Sequence, residues 1–317
     1  MSEKLVANSA KLRVGVVGMG AVGPVLAAAL QQAGHTLVGV CARSDASRER
    51  ADAILPGVAQ LPADELIKRC ELVVFTVRDT QLAGLVEDLA AKQVFRPYQL
   101  VAHVCGSMGL EVLEPATDLG AIPLALHPAQ TFSGTSLDLE RLRGTHWAVN
   151  APPALLPVAQ ALVYDLEGIP HTLPDTSRGL YHAALAHGAN HLVTLVTQSL
   201  RALAAAGVSE PAAFAEPLFK AALERSLREG ESGLSGPVAR GDALTVEKHL
   251  RVLESGNPQA AEDTDPTQPY DDLADLPSCY AEMARATALR ARERQALREA
   301  ALCDIMRVIC RTKDGKE

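Results

Sequence analysis

Three groups of residues in this 317-residue chain have types and spacings suited to chemistry. The first is Gly18-Met19-Gly20-Ala21-Val22-Gly23, a GxGxxG run that follows the apolar stretch 12–17 and opens a helical one. In that setting the first glycine allows a tight turn and the second lets backbone approach a pyrophosphate. The third brings helix close to strand, while the helix N-terminus adds partial positive charge. The plain alternative is a strand–helix turn that holds no ligand. The next apolar stretch ends in Val40-Cys41-Ala42-Arg43-Ser44, where an NAD-selective domain usually carries an acid for the ribose 2′-hydroxyl. A guanidinium and a hydroxyl suit a 2′-phosphate instead, so Arg43 and Ser44 point to NADP(H), with Arg48 one helical turn beyond. The competing reading leaves Arg43 on the surface and gives the ribose to Asp45. Thr76 and Val77 close the third stretch and are expected to offer backbone to the same cofactor, with Asp79 capping the helix that follows.

The second group suits proton transfer. His103-Val104-Cys105-Gly106-Ser107-Met108-Gly109 and His127-Pro128-Ala129-Gln130-Thr131-Phe132 each end an apolar stretch in a turn, where a nicotinamide and its substrate would meet if the strands take the usual order. Cys105 is expected at the cofactor, Ser107 at the reacting group and Gln130 at the substrate. Pro128 biases His127 to extended backbone. A histidine there can protonate a carbonyl oxygen as hydride reaches its carbon, or it can be a loop histidine bonded to backbone.

The third group begins with Tyr181-His182-Ala183-Ala184-Leu185-Ala186-His187-Gly188-Ala189-Asn190-His191. At about 100° per residue, Leu185, Ala189, Leu192 and Val196 share one helix face. His187, Asn190, His191 and Thr194 share roughly the opposite face, with His182 at its edge. A stripe of His and Asn fits a site better than it fits solvent. His187 and His191 have zinc-ligand spacing, but the glutamate of HExxH is missing and no third ligand suggests itself, so no metal is expected. Arg240, in the segment Leu234-Ser235-Gly236-Pro237-Val238-Ala239-Arg240-Gly241-Asp242, suits a bidentate hold on a substrate carboxylate. The competing reading pairs it with Asp242 to pin the turn, and Asp242 is placed to cap a helix from Ala243.

These residues need elements to position them. The runs 12–17, 36–41, 71–77 and 99–104 are rich in Val and Leu with few charges, as in parallel strands covered on both faces. The runs 121–127, 145–150 and 168–173 are weaker strand candidates, and 22–33, 79–91 and 153–166 are helical spacers. Together they predict an open, doubly wound α/β domain. After Pro174 the strands stop. A helix over 176–206 and others near 209–230, 242–255 and 277–312 predict an all-α second domain, giving domains 1–173 and 174–317. The segment 259–275 carries six acids, two prolines and no Lys or Arg, which suits a solvated loop.

Composition narrows the function. The formal charge is −8 with no offsetting basic stripe, and aromatic residues are 3%, which argues against nucleic acid or an anionic membrane surface as partner. No window approaches the ~18 apolar residues of a membrane span, and the N-terminus lacks an apolar signal core. Six scattered cysteines without a CxxC pair read as reduced thiols. A soluble cytoplasmic protein is expected.

The strings GMGAVG, HVCGSMGLEVL, LALHPAQTF, YHAALAHGANHLVTL and GPVARGDALTVEKHL resemble, in that order, a family of Rossmann-like bacterial NADP oxidoreductases with a C-terminal domain of unknown function. The resemblance covers nearly the whole chain, and LHPAQTF and GPVARGD are its most specific parts. It implies a Rossmann domain with a mainly parallel sheet, then a helical domain like that of phosphogluconate dehydrogenase. It also implies a site between the domains, lined by the helix 176–206, and a homodimer through the helical domains. The wider superfamily includes hydroxyacid dehydrogenases, ketopantoate reductase, pyrroline-5-carboxylate reductase, imine reductases and prephenate dehydrogenases. Asn190 matches the helix asparagine of the hydroxyacid dehydrogenases, but their catalytic lysine falls at Ala186. The His127-Pro128 pair looks like that of prephenate dehydrogenases, which makes His127 the first candidate for proton transfer and His182 the second. The acidic segment looks like an insertion. The implied activity is hydride transfer between NADP(H) and a carbonyl or imine carbon of a small carboxylate-bearing substrate; the alternative is a non-catalytic NADP(H)-binding sensor.

Overall fold

The apolar runs become seven strands: β1 (Arg13–Val17), β2 (Thr36–Cys41), β3 (Leu72–Phe75), β4 (Leu100–His103), β5 (Ile122–Pro128), β6 (His146–Asn150) and β7 (Ile169–Thr172). They form one sheet in the order β2-β1-β3-β4-β5-β6-β7. Neighbours run parallel except β5 and β6, which pair antiparallel, so β6 and β7 run against the rest. The computed structural model describes residues 11–255 and 273–311. The acidic segment 259–275, apart from its last three residues, lies outside them.

Alternation along each strand divides the core. Val14, Val16, Leu72, Val74, Leu100 and Ala102 pack on one face with Leu26, Ala27 and Leu30 of the helix Gly23–Gln32. Val17, Val73, Phe75 and Val101 pack on the other with Leu82, Val86 and Leu89 of the helix Asp79–Ala91. This two-sided burial is what a near-continuous apolar strand requires. The chain direction reverses in the sheet order between β1 and β3, so the loops leaving those two strands diverge and open a crevice at their carboxyl ends.

The chain divides into two compact units, Met1–Gly188 and Ala189–Glu317. The break lies inside the long helix Asp175–Ala205, fifteen residues after the expected boundary at 173, because the start of that helix is tied to the sheet by Asp175 and Arg178. In the second unit a core of Val246, Leu250, Ala281, Ala284, Ala288, Ala291 and Ile305 joins the helices Ala243–Ser255, Leu276–Glu293 and Glu299–Arg311. Alanines at 281, 284, 288 and 291 give the middle helix a narrow face for close approach. The single helix expected over 277–312 is two. Gln295 adopts a left-handed φ of 59°, and buried Leu297 packs where a Cβ on Gly241 would stand, 2.9 Å away. The chain turns there to bury that leucine. Asp242 caps the helix from Ala243 as expected, accepting from Thr245 N at 3.1 Å and Thr245 Oγ1 at 2.7 Å.

Candidate functional site

The glycine loop connects β1 to the helix Gly23–Gln32. Gly18 has φ +106°, and a Cβ on it would stand 2.9 Å from Val77 N and from the Thr76 carbonyl carbon. A Cβ on Gly23 would collide with the Gly18 carbonyl oxygen. Thr76 locks this geometry, donating from Oγ1 to the carbonyls of Gly18 at 2.5 Å and Val17 at 3.3 Å. Thr76 and Val77 thus reach the loop, the first through its buried side chain. Around Gly20 no atom lies within 4 Å of a would-be Cβ. The helix has no side-chain cap and no acid in its first turn, so its N-terminal field is left for an anion. Met19 is buried, and its carbonyl accepts from Arg50 Nη1 at 3.1 Å. Ala21 and Val22 complete the loop. This cradle fits a dinucleotide pyrophosphate: the close approach at Gly20 is clear, and of the loop amides it is Gly18 N that is held by the fold, donating to the Cys41 carbonyl at 2.9 Å.

At the end of β2, Arg43 is exposed and makes no hydrogen bond or ion pair among the described residues. Ser44 caps the helix Asp45–Ile54 and shares a capping box with Ser47, so part of its hydroxyl capacity is spent on the fold. Asp45 pairs with Arg48 at 2.6 Å. The pair is an exposed contact within the first turn of the helix.

The turn after β4 is wound around a buried histidine. His103 accepts from Cys105 N at 3.2 Å through Nδ1, so its Nε2–H donates to the Gly109 carbonyl at 2.8 Å. Burial pushes His103 down to about 4. The Cys105 thiol is buried and pushed up, first by burial and then by Asp79, so any contact it makes with a cofactor is as a protonated thiol. Ser107 donates to Asp79 Oδ2 at 3.0 Å. Asp79 is the first residue of its helix, with Arg78 at the cap position and no side-chain cap bond; the expected capping role falls away because the carboxylate holds Ser107.

His127 ends β5 with Nδ1 2.8 Å from the Tyr181 hydroxyl. Its ring meets Tyr181 and His182 edge-on, at centroid distances of 5.5 and 6.1 Å. Gly106 passes against both histidines: a Cβ there would stand 2.9 Å from His127 Nε2 and 2.5 Å from His182 Cδ2. Burial, then His182 and Arg178, push His127 down to about 4. Gln130 is spent inside its loop, donating to the Asp138 carbonyl at 3.3 Å and accepting from Thr145 Oγ1 at 2.9 Å. The buried Asp138 carboxylate takes the Ser133 and Gly134 amides at 2.8 Å each and thereby sets Gly134 against Ala21. The loop after β5 is thus a wall of the glycine cradle.

The sequence reading placed the start of the long helix to within one residue but assigned no role to Asp175 and Arg178. Arg178 is fully buried and donates to the carbonyls of Cys105 at 3.3 Å, Ala125 at 3.2 Å and Ala148 at 3.5 Å, with Asp175 3.5 Å from its Nε. Asp175 accepts from Asn150 Nδ2 at 2.6 Å and Leu110 N at 2.9 Å. One signal was present: Arg178 is the only Lys or Arg between residues 175 and 200. Of the other expected site residues, His187 is exposed in the first unit. Asn190 and Arg240 belong to the second unit, and both are exposed. Arg240 lines a groove of about 320 Å³ with Glu231, Ser235 and Arg294. The pairing of Arg240 with Asp242 is not among the ion pairs of the described residues, since that carboxylate serves Thr245.

His103 and His127 make stability depend on pH. Both have folded pKa values of about 4, below the usual 6.5, so the unfolded chain binds more protons between those limits. Stability is therefore full above about pH 6.5 and is lost as pH falls toward about 4. His103, fully buried, is expected to account for about 3 kcal/mol of that loss. Urea unfolding at about pH 7 and pH 4.5 measures it, and a flat profile would contradict the burial.

Residues 2–128 match the model of a Rossmann-like domain and residues 145–275 that of a domain of unknown function, DUF2520. A sequence search of curated proteins finds no match. Among solved structures, the chain is similar to a Bacteroides fragilis protein whose name proposes an NADP oxidoreductase, at 18% identity and TM-score 0.69, covering 88% of this chain and 98% of that one. A 1-pyrroline-5-carboxylate reductase from Streptococcus pyogenes aligns at 14% identity and TM-score 0.57, over 89% and 99% of the two chains. A reductive aminase from Aspergillus terreus, in complex with NADPH, aligns at 17% and 0.55, over 96% and 95%. At such identities the likeness is one of fold, while the two domain models account for most of the sequence. The chain thus carries a Rossmann-like domain followed by a DUF2520 domain.

Proposed function

We propose that this protein is an NADP-dependent oxidoreductase that transfers hydride between NADP(H) and the carbonyl or imine carbon of a small carboxylate-bearing substrate. The observation that carries the reading is the glycine cradle, with its clear space at Gly20 and its uncapped helix N-terminus. Gly18–Gly23, Thr76 and Val77 hold the pyrophosphate side of the cofactor. Arg43, free of ion pairs, and Ser44 take the 2′-phosphate. From the end of β1 to that of β5 are three inter-strand steps, about 14 Å, a span that an extended dinucleotide bridges. When bound, the cofactor supplies or accepts hydride. His127 then supplies the proton, His182 flanks it, and Ser107 orients the reacting group. The relatives named as a pyrroline-carboxylate reductase and a reductive aminase support this class of chemistry.

The chain acts as a cytoplasmic homodimer through its helical domain. Exposed Phe214, Leu218 and Leu227 on the helix Pro211–Glu229 support the assembly, and no described helix is long and apolar enough to cross a membrane.

A fluorescence titration with NADPH and NADH in parallel tests the cofactor. NADPH is expected to bind more tightly, and Arg43→Ala to weaken it by about 10- to 100-fold, as the loss of a charge-assisted phosphate contact should. Tighter NADH binding would overturn the roles of Arg43 and Ser44, and binding of neither would make the loop structural. NADPH binding without oxidation by any 2-oxo acid or cyclic imine would favour the sensor.

A further inference from the structure

We propose that Tyr181 is a positioning residue that fixes His127 with its proton on Nε2, so that a neutral imidazole faces the reacting group and the site favours a carbonyl over a protonated imine. The proposal rests on the oxidoreductase reading and names its substrate class.

Tyr181 Oη and His127 Nδ1 lie 2.8 Å apart, and neither side chain has another hydrogen-bond partner among the described residues. A phenol is a stronger donor than an imidazole N–H, and a ring nitrogen is a stronger acceptor than a phenol oxygen. Tyr181 O–H therefore donates to Nδ1 and leaves the ring proton on Nε2. That nitrogen lies beside Gly106, where a Cβ would stand 2.9 Å away, so only a glycine lets the turn after β4 pass this edge of the ring. Every charged group near the ring bears on the same outcome. Arg178, one turn before Tyr181, is a buried cation that opposes a second ring proton, as do His182 and His103, while Asp79 favours one less strongly than burial opposes it. Burial pushes the Tyr181 hydroxyl up, with Arg178 opposing part of that rise, so the phenol keeps its proton and acts as the donor.

A neutral N–H donor beside a fixed cation suits an oxygen that gains negative charge. A protonated imine has no lone pair to accept that hydrogen bond and is repelled by Arg178. The step balances as follows. Hydride from the reduced nicotinamide adds to the carbonyl carbon. The Nε2–H bond breaks as the new O–H bond forms and the Tyr181 proton moves to Nδ1; Nε2 then takes a proton from water, releasing hydroxide, as Nδ1 returns its proton to the phenolate, which restores the Nε2–H form. An alkoxide is more basic than a phenolate, so the transfer runs downhill.

The first test needs no substrate. In ¹⁵N-labelled wild-type protein, two-bond ¹H–¹⁵N spectra should show His127 as the Nε2–H form, unprotonated down to about pH 5, and Tyr181→Phe should mix the two tautomers. An Nδ1–H form, or titration near 6.5, would overturn the proposal. The second test uses NADPH with a panel of 2-oxo acids and cyclic imines. Carbonyl substrates should be favoured, with kcat flat over about pH 5–8. Tyr181→Phe should lower kcat about 10-fold or more with little change in KM. A kcat that rises as pH falls through 6.5, or a preference for imines, overturns the substrate class. If nothing is turned over while the Nε2–H form is seen, the activity and the class named from it fail, and the Tyr181–His127 assignment stands.

Discussion

Replacing Arg178 by methionine is expected to lower the unfolding free energy by about 3–5 kcal/mol, the range for breaking a buried ion pair from one side. Methionine keeps much of the volume but none of the donors. The carbonyls of Cys105, just past β4, of Ala125 within β5 and of Ala148 within β6 lose their guanidinium, and Asp175 loses its cation. Arg178 Nε has no hydrogen-bond partner of its own, so some of the desolvation cost is already carried by the native state and the loss is not larger. Asp175→Asn in the same chain should recover about 1–2 kcal/mol, because the two residues interact directly. Urea unfolding of the two single variants and the double variant measures the coupling. A cost below about 1 kcal/mol for Arg178→Met would mean that the strand ends are held by something else.

That anchor is also where the sequence is hardest to read. The seven strands were legible to within a residue or two at most ends: the first four are short Val- and Leu-rich runs, a strong local signal, and the last three are weaker runs closed by turn residues. Their directions were not, since a strand pattern reads the same both ways and nothing in His146–Asn150 announces an antiparallel partner. The glycine cradle was legible because its mechanism needs glycines at fixed spacing, and the structure shows the collisions that require them at 18 and 23. His127 was legible by type and place, but its surroundings were not. Tyr181 reaches it across 54 residues of sequence, and Arg178 reaches Cys105 across 73. No local pattern encodes contacts of that range. The unit boundary was missed for a related reason: the long helix carries no proline or cap at Gly188, and only the contacts made by its first turns assign them to the sheet. The helix break at 294–298 likewise has neither glycine nor proline, and follows from burying Leu297.

Alanine at Gly20 and alanine at Gly23 are expected to lose the cofactor in two different ways. Among the described residues, no atom beyond Gly20 and its chain neighbours lies within 4 Å of the added methyl, and its φ is not among the positive ones. Gly20→Ala should therefore change stability by no more than about 0.5 kcal/mol. That empty space is where a phosphate must approach the backbone. A methyl there holds the pyrophosphate off its donors, and two lost charge-assisted hydrogen bonds weaken NADPH by about 100-fold or more. At Gly23 the added Cβ meets the Gly18 carbonyl and lies 2.7 Å from Thr76 Oγ1. Backbone cannot yield as a flexible side chain does, so Gly23→Ala pushes the helix off the strand and costs about 1–3 kcal/mol of stability in addition to cofactor binding. Thermal unfolding and NADPH titration of both variants separate the cases. Unchanged NADPH affinity in Gly20→Ala would show that the nucleotide does not enter along this loop, however well the loop is built. An unchanged melting temperature in Gly23→Ala would show that helix and strand are less closely packed than the Gly18–Gly23 contact requires. If both expectations hold, the loop's two tasks rest on different glycines: Gly23 brings the helix N-terminus close, and Gly20 leaves the space that lets an anion reach it.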